Sequence, residues 1–324
     1  SSRKRRRGPR ISLTSSQAPD ATAVAAELGA LRARRPRFTR ARIVRATAPY
    51  LLLLPVALVI GAVLVYPLSK LVTLSFQQYQ LAELIQRKGE WIGFDNYESV
   101  LRDRVFWDVL LRTVIFTAAN VVLTIVLGTL IALLLVRVST WVRVLLSTGL
   151  VLVWAMPAVV AVQVFIWMTN FESGVLNYAL AQVGLVDEQH SWYATPFSQL
   201  AMVTLLIVWG AIPFVAITIY AGLAQVPREL VEAAEIDGAG PLRVFWDVTF
   251  PILKPIILIV TSLSIIWDFG VFTQPYLLIG PGQLDTTNYL MGVYVFYEGY
   301  LQSNFGRGAA ISLRNLRTKL CHSA

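Results

Sequence analysis

Glu232 and Asp237 lie in the stretch EAAEIDGAG (232–240), a polar island between two apolar blocks. Carboxylates so placed could form an acid–base pair or take ion pairs from a partner. Their five-residue spacing puts them on different faces of a helix, and no nucleophile or metal cluster joins them, which argues against catalysis. A second candidate is Asp268 in SIIWDFGVFTQPY, with Gln274 six residues later and Trp267 and Phe272 flanking. Charge at membrane depth is costly and is usually kept for function. Gln163, Trp167, Asn170 and Trp209 are further polar or aromatic residues in or beside apolar blocks. Such a mixture suits a polyhydroxylated ligand, since aromatic faces stack on C–H surfaces while amides and carboxylates bind hydroxyls. The plainer alternative for most of these rings is core packing or an interfacial belt. His190, His322 and Cys321 are the only histidines and the only cysteine, too few for a zinc site of the usual kind.

The elements that must position these residues are membrane helices. Of the 324 residues, 56% are hydrophobic and 15% charged, and the mean hydropathy is +0.61. A soluble domain carries nearer a quarter of its residues as charges. The apolar residues fall in blocks of about 20 or more, enough to cross a hydrocarbon core. The chain therefore reads as an all-α polytopic membrane protein with five apparent spans, near 50–72, 113–136, 143–168, 199–223 and 252–279. Pro55, Pro157, Pro213 and Pro275 predict kinks. The loop 75–112 is amphipathic in WIGFDNYESVL and FWDVLLRT and is expected on the membrane surface or against the bundle.

The net charge of +9 is concentrated: residues 1–45 hold 13 Lys or Arg against two acids. This tail reads as disordered and cytosolic, touching anionic lipid and fixing topology. A nucleic-acid role is the alternative, but no binding module accompanies the basic run. The region is too long for a signal peptide, and no small-residue cleavage site follows the apolar run after Tyr50. The Lys/Arg bias places the N-terminus, 137–143 and 224–251 inside, and the acidic loop 169–198 outside. After GRGAAIS (306–312), where a sixth span should begin, the chain reads LRNLRTKLCHSA. The expected sixth span is altered or missing, through truncation or frameshift; a genuine short terminus covered by a partner is the alternative. Three regions result: the tail 1–45, a transmembrane domain 46–312 and an atypical polar tail 313–324.

Around EAAEIDGAG the frame VPRELVEAAEIDGAGPLRVFWDVTFPILKP (226–255) predicts a helix over about 227–237. Gly238 and Gly240 then permit a reversal, and Pro241 can start a second short helix. Alanines allow close backbone approach, carboxylates offer ion pairs, and Phe245 with Trp246 offers anchors. This composition suits a docking element; an ordinary interfacial loop whose acids face water is the alternative.

Here a resemblance adds to the residues. Glu232-Ala233-Ala234, then Gly238, then Val248-Thr249-Phe250-Pro251 resembles the EAA loop of ABC importer permeases. The form Asp237-Gly238-Ala239 is similar to the carbohydrate branch, the maltose and glycerol-3-phosphate type. VYPLSKLVTLSF (65–76), GFDNYESVL (93–101), FWDVLLRTVIFT (106–117) and GRGAAIS resemble the same branch in order, so the likeness covers roughly residues 50–312. It implies the transmembrane domain of a type I ABC importer in a bacterial cell membrane, with its N-terminus cytoplasmic. Glu232, Ala233, Ala234, Asp237, Gly238 and Pro251 would couple the loop 226–251 to a separate ATPase. Asp268, Gln274, Trp267, Gln163, Trp167, Asn170 and Trp209 would be pathway candidates.

The chain has no GxxxxGK[ST] phosphate loop. The resemblance therefore implies ATP and magnesium on a partner subunit, a second related permease, a solute-binding protein outside, and a carbohydrate as substrate. Di- or oligosaccharides, amino-sugar disaccharides such as chitobiose, or glycerol phosphates are all allowed. The chain itself would be no enzyme, bind no cofactor and have no nucleic-acid partner. A secondary transporter or channel is the competing class; it would show inverted repeats or broken helices, and the sequence shows neither.

Overall fold

The structure is a computed structural model that describes residues 53–187 and 189–322, with Thr22 before them and side chains as far as Arg314. Apart from Thr22, the basic tail 1–45 lies outside the described residues. The chain divides into two compact units, Ser1–Pro67 and Leu68–Ala324. Helix α1 (Leu53–Ser75) is the first predicted span. The second unit holds a two-residue antiparallel ribbon, β1 (Gln77–Gln78) with β2 (Glu90–Trp91), in which Gln77 pairs with Trp91. Short helices α2 (Leu81–Gln86) and α3 (Asp95–Arg102) complete the predicted amphipathic loop.

The second span begins nine residues earlier than the sequence predicts. Helix α4 (Arg104–Arg137) starts where the Asp103 carboxylate accepts the Val105 backbone N–H at 2.9 Å. That acceptor satisfies one of the donors left free at a helix N-terminus. Arg104, Asp108 and Arg112 look like loop residues in sequence but form the first two turns. Arg112 donates to the backbone oxygens of Tyr289 at 2.9 Å and Thr286 at 3.1 Å.

The predicted span 143–168 is not one helix. Helices α5 (Thr140–Trp154) and α6 (Ala158–Met168) meet at a bend of 98°. Pro157 supplies no N–H, and its φ of −58° and ψ of 133° end the helical run. The kink expected at Pro157 is thus a full break between two helices. After α7 (Val175–Gln182), helix α8 (Pro196–Leu223) is an unbroken span despite Pro213. Among the described residues, four helices are long and apolar enough to cross a membrane, or five if the bent pair is one span.

Helices α4 and α8 form the centre of the unit. Gly128 permits their close approach, since a Cβ there would lie 2.6 Å from Val215 Cγ1. Ala132, Val215, Ile219, Leu253 and Val260 make the core at that end, where α10 (Pro241–Phe269) packs on both. Phe116, Val162, Met202, Val203, Leu206 and Leu278 form a second core farther along, closed by α6 and α11 (Thr273–Ile279). The predicted span 252–279 is thus split at Gly270–Phe272, with α11 a separate short helix.

Helix α12 (residues 291–301, its last turn widened to π geometry) and α13 (Phe305–His322) close the unit at the start of α4. The GRGAAIS stretch opens α13 rather than a helix apolar enough to cross: Ala309, Ala310 and Ile311 are buried, Ile311 in a core with Val100, Phe106 and Tyr294. Arg307 lies between Asp103, with which it forms an ion pair, and Glu298 at 3.3 Å. The Tyr294 hydroxyl donates to the same Asp103 oxygen at 3.1 Å. These partly buried charges tie α4, α12 and α13 together.

Candidate functional site

The EAA stretch forms α9 (Arg228–Ile236), a helix–turn element exposed along its length. The helix predicted over about 227–237 is capped by those two end residues, Pro227 at its N-cap and Asp237 at its C-cap. The turn is a two-bond C-terminal cap. Gly238 donates to the Glu235 oxygen at 3.0 Å, and Ala239 donates to the Ala234 oxygen at 2.9 Å. That pattern needs a left-handed residue between, and Gly238 has φ +81°. The predicted second short helix is instead the first turn of α10, which continues through a π-helical stretch at Phe245–Thr249 into the span. Pro251 stands one turn further on, at the start of the regular helix.

No residue of α9 is buried, yet apolar side chains stand out around it: Leu230, Ile236, Leu242 and Trp246 are all exposed. Glu232 and Glu235 border a groove of about 1100 Å³ between α4, α8, α9 and α10. Arg143 reaches into the same groove. It caps α4 by donating to the oxygens of Leu135 at 2.8 Å and Val138 at 3.1 Å, where the helix dipole is negative. The α9 end therefore presents a shaped, partly apolar surface with carboxylates on its rim.

A second cavity, of about 460 Å³, lies at the two breaks in the bundle. Its walls include Trp154 and Met156 at the α5–α6 bend, Trp209, Gly210 and Phe214 of α8, and Trp267, Asp268 and residues 270–274 around the end of α10. Trp209 and Gly210 stand halfway along the 28-residue α8, which puts the cavity at mid-depth of that span. Of the predicted pathway residues, Asp268, Gln274, Trp267 and Trp209 are brought together here. Asp268 is 7% exposed, and its carboxylate takes no ion pair or hydrogen bond among the described residues. Trp154, Phe214 and Trp267 form a row of rings, with centroids 6.0 Å and 5.4 Å apart along it. The cavity thus offers ring faces and a carboxyl group with unused acceptor capacity. The volume is that of a small-ligand pocket.

Gln163, Trp167 and Asn170 lie outside this cavity. Gln163 and Trp167 are exposed on α6. Asn170 uses its side-chain oxygen in a turn, accepting the N–H groups of Glu172 and Ser173, each at 3.0 Å. The sequence reading passed over Trp154 and Phe214, although Trp154 next to Pro157 in VWAMP was a visible signal. It also passed over a buried polar stripe on α4, Thr113, Thr117, Asn120 and Thr124, spaced by four, three and four residues. Thr117 Oγ1, Asn120 Oδ1 and Thr124 Oγ1 have no hydrogen-bond partner among the described residues.

Comparison with known proteins adds the family. Residues 124–300 match the model of the binding-protein-dependent transport system inner membrane component. The chain is 46% identical over 279 residues to the diacetylchitobiose uptake system permease protein DasB of Streptomyces coelicolor, covering 85% of each. It is 32% identical to the sulfoquinovosyl glycerol transport system permease protein SmoG of Agrobacterium fabrum, covering 85% of this chain and 87% of that protein. A crystal structure of a bacterial ABC transporter that imports the acidic polysaccharide alginate shares the fold, with a TM-score of 0.75 at 19% identity. That match covers 87% of this chain and 94% of the other.

Proposed function

We propose that this chain, which belongs to the family of binding-protein-dependent transport system inner membrane components, forms half of the translocation pathway of an ATP-driven sugar importer. The observation that carries the reading is the mid-depth cavity where Asp268, Gln274, Trp267 and Trp209 converge beside two helix breaks. Irregular backbone at membrane depth is tolerated where it lines a cavity. The relative that takes up diacetylchitobiose, 46% identical to this chain, supports a saccharide and specifically an amino-sugar disaccharide.

Force enters elsewhere. The α9 end faces the cytosol, in keeping with Arg137, Arg143 and Arg228 around it. There Glu232, Ala233, Ala234, Asp237 and Gly238 seat in a separate ATPase subunit, which holds ATP and magnesium. Ion pairs to Glu232 and apolar contacts to Leu230 and Ile236 fit the exposure of those side chains. Closure of the ATPase pair pushes α9, and α10, joined to it through the capped turn and running to Asp268, carries the movement to the cavity. A second related permease completes the pathway, and a solute-binding protein delivers substrate to the opposite face of the bacterial membrane.

The two sites are separable by mutation. With the chain purified beside its candidate partners, Trp267→Ala and Asp268→Asn should lower saccharide uptake and leave ATPase association intact. Glu232→Ala and Gly238→Pro should weaken ATPase association. Uptake unaffected by all four substitutions would sink the reading.

A further inference from the structure

Phe272, which lines the cavity, also begins a file of rings that leads away from it. Its centroid lies 5.0 Å from that of Tyr276 and 4.9 Å from that of Phe296. Phe296 in turn stacks on Tyr300 at 5.4 Å, with the two planes only 8° apart. The first three rings are half-buried, and Tyr300 at the far end is 69% exposed. Phe272 stands at the break before α11, Tyr276 is on α11, and Phe296 and Tyr300 are on α12, all beyond the end of α10 that is remote from α9. A polar edge runs beside them, where Gln302 donates to the Tyr297 hydroxyl at 2.8 Å.

We infer that Phe272, Tyr276, Phe296 and Tyr300 form a track along which a saccharide moves between the protein surface and the cavity. The inference rests on the cavity being the substrate site. Each sugar ring carries an apolar C–H face that stacks on an aromatic ring while its hydroxyls stay in water. Rings about 5 Å apart let the next contact form before the last is lost, so no step strips the sugar of all its partners. An interfacial belt would set such rings side by side around the bundle. This file instead runs inward and ends in the cavity wall. Phe272 and Tyr276 pack one side against the core around Val100, Phe106 and Tyr294, and all four rings keep part of their surface open.

The test uses the full chain paired with its proposed sister permease in lipid nanodiscs and N,N′-diacetylchitobiose as probe, followed by stopped-flow fluorescence of the cavity tryptophans. Tyr300→Ala should slow association and dissociation together by about five-fold, the rate equivalent of one ring contact. The Kd should stay within about two-fold, because the cavity is untouched. Tyr300→Trp should restore both rates. Asp268→Asn, in the cavity, should change the Kd instead. Unchanged rates in Tyr300→Ala, or a rate loss that Tyr300→Trp does not repair, would overturn the track. Failure of the wild-type pair to bind the probe at all would overturn the cavity assignment beneath it.

Discussion

Gly238 offers the most closely worked prediction. Its φ of +81° completes the cap in which Gly238 and Ala239 donate to Glu235 and Ala234. A Cβ built there meets nothing within 4 Å, so Gly238→Ala creates no clash and its cost is purely backbone. Placing an ordinary L-residue in the left-handed region costs about 1–2 kcal/mol. If the capped turn must be formed to seat in the ATPase, that cost corresponds to a roughly 5- to 30-fold weaker association. Because α9 buries no side chain, the thermal midpoint of the bundle should stay where it is. Gly238→Asn should lose less than Gly238→Ala, since Asn enters the left-handed region more readily. The assay is titration of the purified ATPase onto the chain in nanodiscs, with melting curves measured on the same samples. An alanine variant that binds like wild type, or an asparagine variant as damaged as alanine, would refute the reasoning.

Other substitutions probe the scaffold. Gly128→Ala would put a Cβ 2.6 Å from Val215 Cγ1 and 3.3 Å from the Ala216 nitrogen. Melting should show a loss of about 1–3 kcal/mol, largely recovered by adding Val215→Ala. Burial pushes the Glu298 carboxyl above its ordinary range, against the lowering effect of Arg307 beside it. The folded state therefore holds this proton more tightly than the unfolded state. The stabilisation is present at low pH and is lost as pH rises through the raised value. Glu298→Gln should flatten that part of the stability–pH curve, whereas Arg307→Met should cost about 3 kcal/mol by leaving Asp103 and Glu298 facing without their cation. Thr124→Val removes a buried oxygen that has no partner and should melt at or above the wild-type temperature.

The sequence revealed local features and hid those that depend on distant partners. The cap at Gly238 was legible because a helix pattern, a glycine and a following proline all act within a few residues. The start of α4 had a local signal in Asp103, which caps it, but the charged residues that follow masked it, and the carbonyls that engage Arg112 come from 286 and 289, far along the chain. Pro157 announced a kink, but proline chemistry alone does not set a 98° bend. Asp268 and Gln274 were found as polar residues in an apolar block, and the break at 270–272 is what brings both to one cavity. Trp154 and Phe214 joined that cavity through packing of α5 on α8, which no spacing rule reports. Asn170 attracted attention as a polar residue at a span end, and its oxygen is used by the turn that follows.

The most direct test of the account is the energy source of transport. The chain is reconstituted in sealed proteoliposomes with the sister permease, ATPase and solute-binding protein proposed for it, and labelled diacetylchitobiose uptake is followed over time. Accumulation against the gradient should require ATP inside, ignore collapse of ion gradients, and disappear in Glu232→Ala when the ATPase no longer associates. Uptake driven by an ion gradient without the ATPase would contradict it.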